Sequence, residues 1–331
     1  MSEPYTFPRR ILVAVTGLSP QVVTETLFAL AVQRQPAFVP TEIHLITTKE
    51  GASGAKRSLL DQTSGGFNLL CQDYNLHGID FSEDNIHVLT DIKGVLLDDI
   101  RTPEDNRRAA DLITAILRDL TSDPDSAVHV SIAGGRKTMG FLVGYALTLF
   151  GRPQDRLSHI LVSSPFESSH EFFYPPSKSK IIEIANKKLA DSAMAQVTLA
   201  DIPFVSLRQG LPELLLTGEA TYLDTVDAAR RSLGPVELVV DISKRSVMIY
   251  GSTCTLPDGQ LAMLMVFIRR AINGEQPIYA PSKGLPDRDW GGAFLDELRF
   301  IVGPLGDIDS TERALRSGME GEYFSTTLSR L

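Results

Sequence analysis

The chain has 331 residues, 43% hydrophobic and 22% charged, enough apolar material for one large core or two ordinary ones. A mean hydropathy of +0.01 excludes a disordered chain, and no apolar run approaches the ~18 residues of a membrane span. The balance of 32 Lys+Arg against 41 Asp+Glu leaves a net charge of −9, which argues against a protein coated for long DNA.

The deficit is uneven. Residues 1–190 carry 19 basic and 22 acidic side chains (−3), and residues 191–331 carry 13 and 19 (−6). Cys71 and Cys254 are the only cysteines, which excludes a disulfide scaffold and a thiolate zinc cluster. The opening MSEPYTFPRR runs straight into an apolar strand and does not read as a signal peptide, so the cytoplasm is the expected compartment.

In chain order, ILVAV (11–15) reads as a buried strand and 20–35 as a helix, with Ser19 as N-cap and Pro20 at its first position. EIHLITT (42–48) is the second strand. Residues 51–73 are polar and Gly-rich, with a helical stretch near Arg57 to Leu60. IHVLTD (86–91) is the third strand, and a helix follows from about Glu104 to Leu120. AVHVSIA (127–133) is the fourth, leading through a glycine turn into a nearly all-apolar helix that ends at Phe150. LSHILVS (157–163) is the fifth. Strands alternating with helices predict a Rossmann-like, doubly wound parallel sheet with helices on both faces.

The pattern changes over 175–205. PPSKSK reads as a linker, 181–189 as a short helix or strand, and QVTLADIPFV (196–205) as the way out of the first domain. The expected domains are therefore 1–190 and 191–331. Beyond that boundary come one or two helices (209–233), a hairpin turning at Ser243–Lys244 (236–251), a helix over 255–272 with Pro257 near its start, and further helices to Leu331. A hairpin followed by a Leu-Pro-Asp-capped helix suggests a smaller winged-helix-like α+β domain.

Open α/β sheets bind ligands outside the carboxyl ends of their strands. Two of the loops there stand out. After the fourth strand, Ala133-Gly134-Gly135-Arg136-Lys137-Thr138-Met139-Gly140 puts two glycines, two cations and a hydroxyl at a helix N-terminus, where free N–H groups and the helix dipole favour an anion. It is not a Walker loop, because Arg136 separates Gly135 from Lys137. After the first strand, Thr16-Gly17-Leu18-Ser19-Pro20-Gln21 offers two hydroxyls, a glycine and an amide. Capping alone explains that loop, but adjacent first and fourth strands would turn both loops into one crevice.

VTGLSPQVVTETL after the first strand and SIAGGRKTMG after the fourth resemble the CRISPR-associated Rossmann-fold (CARF) proteins, in particular the ring nucleases that carry a winged-helix-like C-terminal domain. The resemblance covers about residues 9–175 well and 200–331 more loosely. It implies a homodimer that binds cyclic oligoadenylate, usually the four-membered ring, and a reaction carried by a first-loop hydroxyl or amide together with the fourth-loop lysine. On this chain those residues are Ser19, Gln21 and Lys137, with Thr16, Gly17, Gly134, Gly135, Arg136 and Thr138 as further ligand contacts. The adenines are expected between the second and fifth loops, within reach of Lys49, Arg57 and Ser164 to Glu167. The ring's own 2′-OH can serve as nucleophile, so the reading calls for no metal and no cofactor, and no general base is evident.

Other readings fit less well. Related effector ribonucleases use an Arg-x4–6-His pair in the C-terminal domain, but the six histidines (44, 77, 87, 129, 159 and 170) all precede that region. Arg152 and His159 have the spacing but flank the fifth strand, and Asp241-Ile242-Ser243-Lys244 misses the spacing of a metal nuclease. His44 and His129 alternate with apolar strand residues and read as packed side chains. A ligand-gated transcription regulator would place a recognition helix near 322–331, which holds one cation, Arg330, in the acidic half. A non-cleaving sensor or sponge shares every feature except turnover. A dinucleotide oxidoreductase lacks the Gly-x-Gly-x-x-Gly turn and an acidic end to its second strand.

Overall fold

The structure, a computed structural model, describes residues 3–331 apart from 219, 234–237, 250–251 and 305. Two compact units are present, Met1–Leu233 and Gly234–Leu331. In the first, β1 (Arg9–Val15) leads into α1 (Gln21–Phe28), which continues as a π-helical turn over Ala29–Gln33. β2 (Glu42–Thr47), α2 (Lys49–Leu59), α3 (Gly66–Asp73) and β3 (Ile86–Val88) follow, then α4 (Pro103–Leu120), β4 (Ser126–Ser131), α5 (Lys137–Phe150) and β5 (Arg156–Val162). The unit ends with the hairpin β6 (Ile181–Ile184) and β7 (Lys188–Asp191), then β8 (Val197–Asp201), α6 (Glu213–Thr217) and α7 (Tyr222–Leu233).

The central sheet has the order β3-β2-β1-β4-β5-β8, parallel except for the antiparallel edge pair β5–β8. Period-two alternation along β1 divides its fully buried residues between two cores. Leu12 and Ala14 pack with α1, α2 and α3, whereas Ile11, Val13 and Val15 pack with α4 and α5. The doubly wound α/β expectation is met. The order reverses between β1 and β4, so their carboxyl ends open onto the switch-point crevice of such sheets.

The division into units falls later than expected. Residues 191–233 do not begin a second domain, because β8 extends the sheet beside β5 and α7 sets Val226, Ala228 and Ala229 against Leu149 and Phe150. Tyr222 N–H also donates to Asp111 of α4 (3.0 Å), and Arg118 donates to the Ala220 carbonyl (2.9 Å).

The second unit opens with an antiparallel sheet of β9 (Leu238–Asp241), β10 (Ser246–Ile249) and β11 (Ser252–Thr255), of which β11 was not anticipated. The turn over 242–245 matches the hairpin expected at Ser243–Lys244, and Asp241 is held there by Ser243 Oγ (2.6 Å) and Lys244 N–H (3.1 Å). Among the described residues the helices that follow are α8 (Asp258–Ile272), α9 (Arg288–Val302), α10 (Asp309–Ala314) and α11 (Gly321–Leu328). Their core is built around Trp290, whose indole N–H donates to the Tyr279 carbonyl at 2.8 Å. Arg330 lies beyond the end of α11. Among the described residues no helix is long and apolar enough to cross a membrane.

Candidate functional site

The loops after β1 and β4 meet. A Cβ on Gly17 would stand 3.7 Å from Gly135 Cα, and one on Gly134 would lie 2.7 Å from the Val15 carbonyl oxygen and 3.0 Å from Val22 Cγ2. Gly135 has φ +77°, the left-handed region that favours glycine. The two glycines therefore let the end of β4 rest on the end of β1, a packing role as well as an approach for a ligand.

Thr16 serves the loop itself. It is fully buried, its hydroxyl donates to the Ser19 carbonyl (2.7 Å), and its own carbonyl accepts from Thr47 Oγ1 (2.7 Å), so it offers no group to a ligand. Ser19 is exposed and its side chain caps nothing; the N-cap of α1 is Pro20, in helical conformation. That leaves the Ser19 hydroxyl free at the mouth of the crevice.

The four expected cations separate. Arg136 forms a fork with Asp99, through Nε at 2.8 Å and a second contact from Nη2, so its charge is already matched. The pairing holds the Asp99 carboxyl below the usual carboxylate range. Lys49 pairs with Asp98 at 3.3 Å. Both acids arrive on the segment after β3, which folds back so that Leu97 N–H reaches the Leu89 carbonyl (2.8 Å) and Lys49 N–H reaches the Leu97 carbonyl (2.9 Å).

Arg57 does not join the site. The Gly-rich stretch after β2 is helix α2, which begins eight residues before the helical stretch expected near Arg57 to Leu60 and is started by Thr48, whose hydroxyl accepts from Gly51 N–H (3.4 Å); Arg57 lies ~12 Å along it from Lys49. Lys137 remains. It is exposed in the first turn of α5, and no side-chain partner for it exists among the described residues. Beside it the Lys137 and Thr138 N–H groups have no intrahelical acceptor. Thr138 and Ser164 are both exposed, at the start of α5 and just after β5.

Sequence reasoning missed an adjoining cavity of about 370 Å³, bounded by Ser19, Gln21, Glu25, His159, Glu167 and His170. Gln21 Nε2 donates to the His170 carbonyl (3.1 Å), which leaves Gln21 Oε1 buried and without a donor. Glu25, one turn along the same face of α1, is 8% exposed, and burial pushes its carboxyl up to about 7. The signal for it was present, since Glu25 is the single charge in an otherwise uncharged helix, QVVTETLF.

His77 is exposed beside Asn75 Oδ1 (2.9 Å), whereas His44, His87, His129 and Arg152 serve packing. His129 is buried against Ser158 Oγ (2.8 Å), and His44 lies between His87 (2.9 Å) and Glu42 (3.1 Å). Arg152 is locked in a buried pair with Asp155 (2.9 Å). Among the described residues no three of His, Cys, Asp or Glu gather into a group able to hold a metal ion.

A doubly wound α/β unit with a polar crevice at its switch point places the first unit in the Rossmann-like class. The model of the CRISPR-associated protein NE0113 family matches residues 19–235, about two thirds of the chain and most of the first unit. The chain belongs to that family. It is also similar to Enterococcus italicus Csm6 bound to cyclic hexa-2′-fluoro-hexa-dAMP, at 14% identity with a TM-score of 0.29. That match covers 47% of this chain and 34% of Csm6, so the chain spans about a third of its length. No curated protein matches.

Proposed function

We propose that this protein is a CARF-type ring nuclease, acting as a homodimer that binds cyclic tetra-adenylate and cleaves it to linear products ending in a 2′,3′-cyclic phosphate. The observation that carries the reading is the junction of the β1 and β4 loops, with Lys137 uncommitted at the α5 N-terminus and Ser19 exposed on the β1 loop. Membership of a CRISPR-associated family and the two loop sequences support it.

A ring 2′-oxygen attacks the neighbouring phosphorus; the 2′-O–P bond forms, the P–O5′ bond breaks, and the proton leaves O2′ and ends on O5′. The protein holds the sugar in line and stabilises the added negative charge of the phosphorane. Lys137 Nζ and the first N–H groups of α5 supply that charge, and the Ser19 hydroxyl orients the attacking group. Arg136 contributes only when the ligand competes with Asp99 for it.

The test is incubation of the purified protein with radiolabelled cyclic tetra-adenylate in EDTA, alongside Lys137→Ala. Linear di-adenylate from the wild type, reduced about a hundredfold or more in the variant, is the expected result. Tight binding without product leaves a sensor or sponge, and no binding ends the assignment.

A further inference from the structure

The rim of the first unit opposite the crevice carries another cavity, of about 770 Å³, within the roughly 300–1,000 Å³ of small-molecule sites. It lies between the turn that joins α5 to β5 and the segment after β8. The length of β5 separates it from the crevice, ~20 Å from Arg156 to Val162. One wall is apolar and tightly built. Phe204 packs so closely over the turn that a Cβ on Gly151 would stand 2.8 Å from its Cε2, and Leu157 and Pro203 continue that wall.

The charged lining is Arg152, Arg156 and Arg208 with Asp155 and Asp201, three guanidiniums against two carboxylates in a chain of net charge −9. Both carboxylates are already committed. Asp155 accepts from Arg152 Nε and Nη2 (both 2.9 Å) and from the Val128 and Arg152 N–H groups (2.8 and 2.7 Å). Asp201 pairs with Arg34 at 3.4 Å.

Arg156 and Arg208 have no carboxylate partner among the described residues. Each uses one nitrogen on the backbone. Arg156 Nη1 donates to the Pro153 and Asp155 carbonyls (both 2.8 Å), and Arg208 Nη1 donates to the Phe150 carbonyl at the end of α5 (2.8 Å). These bonds anchor the two guanidiniums and leave both Nε–Nη2 edges without an acceptor, yet not sealed from solvent. Such an edge binds carboxylate or phosphate oxygens in pairs, as the same edge of Arg136 holds Asp99. Burial and the neighbouring Arg152 hold the Arg208 guanidinium below its ordinary pKa, and an adjacent anion would offset both.

Two forks call for a ligand with at least two anionic groups, and the apolar wall calls for an organic body. We propose that this cavity is a second ligand site, for a small organic polyphosphate of nucleotide size, with phosphate oxygens on the Arg156 and Arg208 edges and the organic body against Leu157, Pro203 and Phe204. The site stands apart from the ring crevice and does not depend on ring cleavage.

The experiment is calorimetric titration of the full chain with adenosine triphosphate, tripolyphosphate and citrate, at low salt in EDTA, for wild type, Arg156→Lys, Arg208→Lys and Lys137→Ala. Lysine keeps the charge and has no fork. The wild type binds adenosine triphosphate at least ~10-fold more tightly than tripolyphosphate, through apolar contact, and more tightly than citrate. Each lysine variant weakens that binding about tenfold or more, the loss of one charge-assisted hydrogen bond, whereas Lys137→Ala leaves it unchanged. Arg156 lies away from the α5 terminus and supplies the second variant if Arg208→Lys does not fold.

No binding by the wild type overturns the proposal whatever the variants do. Folded lysine variants that bind as the wild type does would take the forks out of the site, and loss of binding in Lys137→Ala would put the phosphates in the β1–β4 crevice; either overturns it. Equal or tighter binding of tripolyphosphate or citrate overturns the choice of an organic phosphate.

Discussion

Replacing Glu25 by glutamine tests the electrostatic premise of the site without any ligand. Burial raises the carboxyl from 4.5 to about 7, so the folded protein holds the proton more tightly than the unfolded chain. The stability linked to that proton is fully present below about pH 4.5 and is lost as pH rises to about 7, above which the native state bears the whole cost of a buried carboxylate. At about 1.4 kcal/mol per pH unit, the displacement amounts to about 3 kcal/mol. Glutamine has nearly the same shape and no charge. Urea unfolding of both proteins at pH 5, 6, 7 and 8 should show a gap that opens with pH and levels off above 7, Glu25→Gln being the more stable by about 3 kcal/mol. A constant gap, or a less stable glutamine variant at pH 8, would refute the reasoning, because Glu25 would then be ionised and stabilised by a partner.

Two further substitutions probe the crevice. Gly134→Ala sets a methyl 2.7 Å from the Val15 carbonyl oxygen, a backbone atom at the end of the central strand β1, and should destabilise the protein by about 1–3 kcal/mol in thermal melts while weakening ring binding. Asp99→Asn releases Arg136 from its fork and should tighten ring binding roughly tenfold at low salt, with a steeper salt dependence in titrations.

Most of the first unit was legible because its signals are local. β4 and the last five residues of β1 are short, buried runs, and α5 announces itself through the glycine turn before it and its apolar length. Non-local signals were lost. α2 hid behind Gly51 and Gly54, which favour loops by intrinsic propensity; Gly51, Ala52 and Ala55 nevertheless bury a small-residue face beneath the Thr48 cap. β8 read as an exit because its role comes from pairing with β5, about 40 residues earlier.

The site divides the same way. The two loops stand out in sequence, since glycines and hydroxyls beside helix starts carry their own signature. The matching of Arg136 by Asp99, 37 residues away, does not. Nor does the cavity that joins α1 to the segment after β5, although a lone glutamate in a helix buried at every residue was its trace.

The central claim is cleavage by the ring's own 2′-OH with charge stabilised by Lys137, and the mass of the first product tests it most directly. Transesterification adds no water, so in EDTA the linear tetra-adenylate left by one cut should keep the mass of the ring and the di-adenylate left by two cuts should have half of it, with little of either formed by Lys137→Ala. A first product heavier by one water, or equal cleavage by Lys137→Ala, would contradict the account.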